Sequence, residues 1–240
     1  MKIVCISDTH GKHWWLTNNN RLPEGDIIIH SGDCTPRGAT KDIEEFLRWY
    51  GDLNYEKKIL IAGNHDWGFE KEPGYCEELC KSYDIIYLND SGITHRGLKI
   101  WGSPVQPWFY DWAFNRRRGD DIQKHWDLIP DDTDILITHG PSMGHVDQVM
   151  LQFSPNAGQH VGCADLEETI QRIRPVIHIC GHIHEARGVD VDIQEGKSPI
   201  TYVNASSLDE MYSPWIEDAM VFEWDDLVNG RVKPYRAYDY

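Results

Sequence analysis

The 240-residue chain lacks the features that would place it in a membrane, in a disulfide-bonded secreted fold or on DNA. It has no apolar stretch of membrane-spanning length and no basic segment followed by an apolar one at its start, so we expect no membrane association. None of its six cysteines forms a Cys-x-x-Cys pair, which predicts free thiols in a reducing, cytoplasmic location. Lys and Arg number 23 against 39 Asp and Glu, for a net charge of −16. So acidic a chain is unsuited to nonspecific binding of duplex DNA.

Five apolar runs each lead into side chains able to bind a metal ion. They begin at Lys2, Asp26, Lys58, Asp134 and Val176, and such runs are typical of strands buried on both faces of a sheet. The candidate ligands that follow them are Asp8, His10, Asp33, Asn64, His139, His182 and His184. A lone histidine at a strand end is more often a hydrogen-bonded core residue than a ligand. Five coincidences at strand ends, where α/β sheets bind ligands, instead predict one shared metal site.

The pattern of these runs predicts an α/β fold in a single domain over residues 1–240. Buried strands alternate with helices in the first half, and shorter strands with a hairpin turn at Arg96-Gly97 follow, which indicates a mixed sheet. The runs Thr201 to Asn204 and Ala219 to Trp224 are predicted to complete a second sheet. Because the candidate ligands come from both halves of the chain, the site cannot be divided between two domains.

The order and spacing of the ligand-bearing blocks resemble the calcineurin-like metallophosphoesterase superfamily. Its marks are Asp-x-His, Gly-Asp, Gly-Asn-His-Asp/Glu, a later His and Gly-His-x-His, and they occur here between Asp8 and His184. A narrower likeness to the metallophosphoesterase-domain-containing subfamily rests on Cys-Ile-Ser-Asp-Thr-His, Pro-Trp-Phe at 107–109, Thr-His-Gly-Pro at 138–141, Val-Gly-Cys at 161–163 and Tyr-Val-Asn-Ala-Ser at 202–206. The resemblance extends from Lys2 to about Trp224. It implies the metallophosphoesterase fold, a four-layer α/β/β/α sandwich with two mixed β-sheets.

The resemblance also divides the candidate ligands between two metal ions. Asp8, His10, Asp33 and His184 would hold one ion, and Asp33 would bridge to a second held by Asn64, His139 and His182. The mixture of oxygen and nitrogen donors suits divalent or mixed-valence transition metals, namely Mn, Fe, Zn, Co or Ni, better than calcium. Such a pair would supply a metal-bridging hydroxide as the nucleophile for phosphoester hydrolysis.

The two residues that follow the candidate ligand Asn64 are expected to take part in catalysis. In the superfamily the histidine that corresponds to His65 protonates the departing oxygen or binds the substrate phosphate, and Asp66 would orient its ring. A related branch has an orienting aspartate where this chain has Pro36. The alternative is that His65 only hydrogen-bonds to a metal ligand, as partners of metal sites commonly do.

Two segments are candidates for contact with the substrate. Arg37 lies in Gly-Asp-x-x-x-Arg-Gly, which resembles the phosphoprotein-phosphatase block whose arginine contacts phosphate, although a solvated surface arginine is the alternative. Residues 102–115 form a segment rich in proline and aromatic residues, and long loops of this kind are usually functional. We expect Trp108, Phe109 and Trp112 either to form a wall of the substrate pocket or to make a separate hydrophobic cluster or dimer contact.

Four further histidines are expected to lie outside the site. His13, His145 and His160 are near it in sequence and could touch substrate, but a solvated surface position is the default for each. His178 lies farther back in its strand and is predicted to be a core residue.

Together these features predict a hydrolase of small phosphoesters, most simply a phosphodiesterase acting on cyclic nucleotides or similar diesters. A phosphomonoesterase or phosphoprotein phosphatase is the first alternative, and an exonuclease is disfavoured by the acidic charge. A non-catalytic scaffold with the same fold is an alternative of another class. Such scaffolds usually have a broken ligand set, whereas all seven candidate ligands are present here.

Overall fold

The computed structural model describes residues 1–150 and 154–237. Its strands are β1 (Lys2–Ile6), β2 (Ile27–Ser31), β3 (Lys57–Ile61), β4 (Ile86–Tyr87), β5 (Ser91–His95), β6 (Leu98–Ser103), β7 (Gln106–Pro107), β8 (Asn115–Arg116), β9 (Ile135–Thr138), β10 (Ile177–Cys180), β11 (Gly188–Asp192), β12 (Ile200–Asn204), β13 (Met220–Glu223) and β14 (Tyr235–Arg236). Its helices are α1 (Trp14–Asn18), α2 (Thr40–Gly51), α3 (Trp67–Lys71), α4 (Pro73–Ser82), α5 (Asp120–Trp126), α6 (Ala164–Ile173) and α7 (Trp224–Val228), and a 3₁₀ helix spans His184–Ala186. In the described ranges, no helix has the length and apolar character needed to cross a bilayer.

The first sheet has the strand order β13-β1-β2-β3-β4. Strands β1 to β4 run parallel, and β13 runs antiparallel to β1 at the edge. Ile6 pairs with His30 and Ser31 pairs with Ile61, so β1, β2 and β3 end at the same edge of the sheet. The loops that carry the candidate ligands therefore leave side by side.

The second sheet has the order β14-β11-β12-β10-β9-β6-β5. Its four central strands run parallel, and β5, β11 and β14 run antiparallel to their neighbours. The predicted hairpin turn at Arg96 and Gly97 joins β5 to β6, with both residues at positive φ. A separate two-stranded pair, β7 and β8, closes the aromatic segment at its two ends.

The alternation of apolar residues along each strand builds four layers. One face of the first sheet packs against α2 and α4, where Ile28 and Leu60 share a cluster with Phe46 and Cys80. The opposite face packs against the second sheet through a core that includes Ile3, Ile29, Ile59, Ile137, Ile179 and Val203. The outer face of the second sheet packs against α5 and α6 through Leu136, Tyr202, Trp126 and Ile170. The predicted four-layer α/β/β/α sandwich with two mixed sheets is thus confirmed.

One predicted strand belongs to the other sheet. The run from Ala219 to Trp224 becomes β13, which pairs with β1 in the first sheet, and Trp224 already begins α7. Met220 and Phe222 are buried in the core between the sheets, while Val221 and Glu223 are exposed. This alternation is typical of a strand at a sheet edge, but it does not specify which sheet the strand joins.

Candidate metal centre and substrate cavity

Seven side chains converge where the strand ends of both sheets meet: Asp8, His10, Asp33, Asn64, His139, His182 and His184, called the floor below. Asp33 lies at its middle, because its Oδ2 is 3.6 Å from His10 Nε2 and 3.4 Å from His139 Nε2. At one side, His184 Nε2 is 3.4 Å from Asp8 Oδ1 and 3.2 Å from His10 Nε2. The structure therefore brings together in one place ligands predicted from five separate runs.

The donor atoms fall into overlapping sets, each with its atoms within 4.8 Å of one another. The sets are Asp8 with His10 and His184, His10 with Asp33 and His65, and Asp33 with His139 and His182. Asn64 joins the last set, since its Oδ1 is 2.9 Å from His139 Nε2. Asp33 is shared between the two sides, which is the position that a bridging ligand requires. His65, which the sequence did not suggest as a ligand, also directs a donor atom toward this centre.

Hydrogen bonds on the outer side of the floor orient its donor atoms. His139 Nδ1 lies 3.0 Å from the carbonyl of Ser31, and His184 Nδ1 lies 2.9 Å from the carbonyl of Asp209. Because a carbonyl only accepts hydrogen bonds, each ring carries its proton on Nδ1 and directs Nε2 inward. Metal-binding histidines are commonly held in this way. The donor set, with its inward imidazole nitrogens and carboxylate oxygens, fits a pair of transition-metal ions.

The backbone of the floor is strained. Asp8, His10, Asp33 and His182 all have positive φ, between 42° and 69°. Residues other than glycine seldom adopt this conformation, and each instance costs on the order of 1–3 kcal/mol. Strain at four of the seven floor residues lowers the stability of the fold, and this conformation places the side chains at the site.

Burial and mutual charge set the protonation of the floor. Burial opposes ionisation of Asp33, but the charge of His139 and its hydrogen bond outweigh burial and lower the Asp33 pKa. The same contact outweighs burial of the imidazole and raises the pKa of His139 to about 9. Burial lowers the pKa of His10 to about 4 and that of His182 to about 3. His10 and His182 are therefore neutral and Asp33 is ionised, which are the forms that bind metal. At His139 and His184, burial is outweighed by the neighbouring carboxylates, which raise both pKa values, so each ring must release a proton to bind an ion.

Gly181 allows the last two histidine ligands to reach the floor. A Cβ at this position would lie 2.0 Å from Asp8 Oδ2. The sequence argument that His182 and His184 face one site because the segment is extended is wrong. Strand β10 ends at Cys180, His182 has a φ of 69°, and His184 begins a 3₁₀ helix. The turn sends His182 toward Asp33 and His184 toward Asp8.

His65 is held at the edge of the floor by contacts other than the predicted one. Its backbone N–H donates to Asp33 Oδ1 at 2.7 Å, and its Nδ1 donates to the carbonyl of Pro36 at 2.7 Å. Its ring stacks on Trp112 with centroids 4.1 Å apart and planes at 22°. The backbone of Pro36 thus orients the ring, although the sequence suggested that a proline at this position removes the orienting group.

Asp66 does not orient His65, and this part of the sequence prediction is wrong. Its fully buried carboxylate accepts hydrogen bonds from the backbone of Gly63, Cys34 and Thr35 and from the Thr35 hydroxyl, at 2.7–3.2 Å. These contacts tie the loop after β2 to the loop after β3. Asp66 therefore supports the positions of the ligands that the two loops carry.

A cavity of about 620 Å³ opens above the floor. Trp108 and Phe109 line it, as expected for a pocket wall, and the Phe109 ring meets His182 edge-on with centroids 5.3 Å apart. Trp112 lies behind His65 and does not line the cavity. Arg37 is exposed and lies outside the cavity lining. The structure therefore offers no support for Arg37 as a phosphate contact.

Sequence reasoning missed several cavity residues, among them Tyr212 and Arg118. Tyr212 lies against His10 and His184, with ring centroids 4.9 Å and 5.1 Å apart. Arg118 also lines the cavity. Neither belongs to a motif, so only the three-dimensional structure reveals them.

The remaining histidines differ from the sequence expectation in part. His13 is buried rather than solvated, with its ring 4.7 Å from that of Trp49. His145 is half-buried and stacks on Tyr202. His160 is exposed as expected, yet it lines the cavity. His178 is fully buried, which confirms that it is a core residue.

Comparison with known proteins agrees with this geometry. Residues 1–186 match the family model of the calcineurin-like phosphoesterases. The human metallophosphoesterase domain-containing protein 1 is 41% identical over 235 residues, which cover 89% of this chain and 68% of that protein. Among solved structures, TT1561 of Thermus thermophilus superposes with a TM-score of 0.60 at 14% identity, covering 98% of both chains. The phosphopantetheinyl hydrolase of Mycobacterium tuberculosis gives 0.55 at 16% identity, covering 85% of this chain and 88% of that one. The chain therefore belongs to the calcineurin-like phosphoesterase family.

Proposed function

We propose that this chain is a metal-dependent phosphodiesterase that hydrolyses small diesters such as cyclic nucleotides. The observation that carries the proposal is the complete floor at the base of a cavity of about 620 Å³. This volume is within the range of roughly 300–1,000 Å³ that is typical of small-molecule sites. It leaves room for organic groups on the phosphate, which a diester needs.

The floor residues would hold two transition-metal ions, divided as the resemblance implies, with Asp33 between them. When bound, such ions supply Lewis-acid activation of water and of the phosphoryl oxygens. The chain's own residues fix the donor atoms: Ser31 and Asp209 orient two imidazoles, and Ser206 donates to Asp8 Oδ2 at 2.9 Å. The identity of the ions, Mn, Fe, Zn, Co or Ni, belongs to this proposal.

His65 is proposed as the group that delivers a proton to the leaving oxygen. Because Nδ1 donates to the carbonyl of Pro36, Nε2 is the ring nitrogen left to deliver the proton. The stacked Trp112 limits rotation of the ring. General acid catalysis of this kind typically contributes about 10²–10⁴ in rate.

The cavity walls support an organic diester over a phosphoprotein. Trp108 and Phe109 are 59% and 46% exposed, so they present apolar ring surface to the cavity. Stacking of a base on such rings is a common means of nucleotide recognition. The arginine that suggested a phosphoprotein phosphatase, Arg37, lies outside the cavity lining. The completeness of the floor supports an enzyme over a non-catalytic scaffold.

The partners and location follow from the same features. We propose a small phosphoester, with a nucleotide as the preferred class, and neither duplex DNA nor a membrane as a partner. A reducing, cytoplasmic location is supported by six free, buried cysteines.

A substrate panel tests the proposal. The protein is supplied with Mn²⁺ and assayed on bis-p-nitrophenyl phosphate, p-nitrophenyl phosphate and the 2′,3′- and 3′,5′-cyclic nucleotides. We expect hydrolysis of the diesters to exceed that of the monoester, and chelation to abolish both. Faster monoester hydrolysis would indicate a phosphatase instead, and metal-loaded protein without any hydrolysis would indicate a scaffold.

A further inference from the structure

One side of the cavity carries a fixed cation that the proposed chemistry does not use. Arg118 is the one Lys or Arg side chain that lines the cavity within the described residues. Its Nη1 donates to the carbonyl of Gly162 and its Nη2 donates to the carbonyl of Val161, both at 2.8 Å. These two bonds hold the guanidinium in place and leave other N–H groups available.

Arg118 makes no direct ion pair with a carboxylate in the part of the chain that the structure describes, although Glu185 and Glu210 line the same cavity. The chain nevertheless has a net charge of −16. Carbonyl oxygens fix its position without cancelling its charge. A guanidinium that is held in a cavity and lacks a counter-ion is suited to bind a phosphate on its ligand.

His160 directly precedes the two residues whose carbonyls hold Arg118, and its ring is also fixed by a hydrogen bond. Its Nδ1 donates to Asp147 Oδ1 at 2.5 Å, and Asp147 is fully buried. Asp147 also accepts from the backbone N–H groups of Gly144 and Gly162, at 3.0 Å and 2.9 Å. The ring is therefore fixed through Nδ1, and Nε2 is the nitrogen left for a ligand in the cavity, to whose oxygen it donates when the ring carries both protons.

Gly162 connects the two side chains. Its N–H donates to Asp147, which holds His160, and its carbonyl accepts from Arg118. A Cβ at this position would lie 2.3 Å from the carbonyl oxygen of Ser142, so a larger residue would displace the segment. The contacts of Gly162 make Arg118, Asp147 and His160 one connected unit on the cavity wall.

We propose that Arg118 and His160 form a second phosphate subsite, so that the preferred substrate carries a second phosphoryl group besides the one that is hydrolysed. This inference rests on the proposed function for the position of the first phosphate. Arg118 and His160 line the same cavity as the floor residues Asp33 and His182. Apolar residues such as Phe109 and Val149 line the same cavity and would contact the organic part of the substrate.

A matched pair of diesters tests the subsite. The dinucleotide ApA and its 5′-phosphorylated form pApA share the same scissile bond and differ by one phosphate. In the Mn²⁺-loaded wild type we expect kcat/KM for pApA to exceed that for ApA by roughly 10- to 100-fold, the effect of one or two hydrogen bonds to a charged group. A wild-type ratio near one would overturn the inference without any variant.

Variants then assign the preference to these residues. Arg118→Gln should reduce the pApA/ApA ratio to near one, Arg118→Lys should retain part of it, and His160→Asn should reduce it by a smaller factor. Arg117→Gln is the matched control, because Arg117 is an exposed neighbour outside the cavity lining, and its ratio should equal that of the wild type. An equal loss in Arg117→Gln would show a general effect of charge and contradict the subsite.

Equilibrium binding separates this inference from the proposed function. Adenosine 3′,5′-bisphosphate and AMP are titrated into the same Mn²⁺-loaded proteins by calorimetry. We expect the bisphosphate to bind roughly 10- to 100-fold more tightly than AMP in the wild type, and equally in Arg118→Gln. This pattern in a protein without hydrolytic activity would support the subsite while the proposed hydrolysis fails. Equal binding of both probes by the wild type would exclude the subsite.

Discussion

The floor and the wall of the cavity are built in different ways. Most floor residues are buried, with Asp8, Asp33 and His139 at most 2% exposed and His182 half-buried, and they follow strand ends. The wall, meaning Trp108, Phe109, Arg118, His160 and Tyr212, comes from four loop segments, and the rings of Trp108, Phe109 and Tyr212 are 42–59% exposed.

This difference suits the floor to metal binding and catalysis and the wall to the choice of substrate. Buried donors with strained backbones and hydrogen-bonded rings have little freedom, which suits a site that must keep metal geometry. Exposed rings on loops can change without disturbing the core. We therefore expect substitutions in the floor to abolish hydrolysis of every substrate, and substitutions in the wall to change which substrate is preferred.

The largest effect is expected at the centre of the floor. Asp33→Asn removes charge between the two sets of donors, so metal occupancy at both positions should fall and activity should drop more than about 100-fold, the upper loss seen when a partner of a metal ligand is removed. His10→Ala is the comparison, because the donors Asp33, His139 and His182 remain and one ion should be partly retained. Elemental analysis and rates on bis-p-nitrophenyl phosphate measure both. Full occupancy by two metals in Asp33→Asn would contradict the bridging role.

The next largest effect is expected at His65, which lies at the edge of the floor and is proposed to deliver a proton. If it protonates the leaving oxygen, His65→Asn should lose about 10²–10⁴ in rate on a cyclic nucleotide, whose ribose alkoxide departs poorly. The loss on bis-p-nitrophenyl phosphate should be much smaller, since p-nitrophenolate leaves without a proton. Metal content should be unchanged. An equal loss on both substrates with metals intact would favour phosphate binding over proton delivery.

The sequence predicted the floor well because one rule relates local pattern to position. Parallel strands end at the same edge, so residues after β1, β2 and β3 must meet there. The same rule places His139 after β9, although the conformation of His182 and His184 followed from a turn that alternation does not describe.

The sequence did not predict that Arg118 and Tyr212 belong to the wall, or that Asp66 holds together the loops that carry floor residues. Arg118 and Tyr212 are 94 residues apart in the chain (212 − 118), and no local signal shows that they line one cavity. Asp66 looked catalytic because it follows His65. Its carboxylate instead accepts hydrogen bonds from Cys34, Thr35 and Gly63. Strand β13 was assigned to the wrong sheet for the related reason that partner choice is a long-range property.

The aromatic wall should affect binding more than turnover. Trp108→Ala and Phe109→Ala are expected to raise KM for nucleotides roughly 5- to 150-fold, as loss of one base stack of about 1–3 kcal/mol predicts, with kcat nearly unchanged. The small ester p-nitrophenyl phosphate should be affected far less. Trp14→Ala is the matched control, because Trp14 is 44% exposed but lies outside the cavity lining. Equal losses on large and small substrates would indicate a packing defect.

The smallest effect concerns stability, at a histidine close to the floor in sequence but not part of it. His13 is 2% exposed, and neither ring nitrogen has a hydrogen-bond partner among the described residues. Its ring packs edge-on against Phe46, with centroids 5.4 Å apart. Burial lowers its pKa to about 4, whereas an unfolded histidine titrates near about 6.5.

The sign of the pH effect follows from these two pKa values. The unfolded chain binds the proton more readily, so the contribution of His13 to stability is complete above about pH 6.5 and is lost as the pH falls toward about 4. Between pH 7 and pH 5 this loss should be about 2 kcal/mol. In His13→Phe, an aromatic ring is kept and the titrating group is removed, so stability should decline less over that interval by about this amount. Urea unfolding at both pH values measures it, with a chelator present so that metal release does not contribute.

His30→Phe is the contrasting variant, because the His30 ring contacts Thr9 Oγ1 and accepts from Gly32 N–H. This variant should be less stable than the wild type at pH 7. A wild-type pH dependence in His13→Phe would show that other buried groups account for the acid sensitivity.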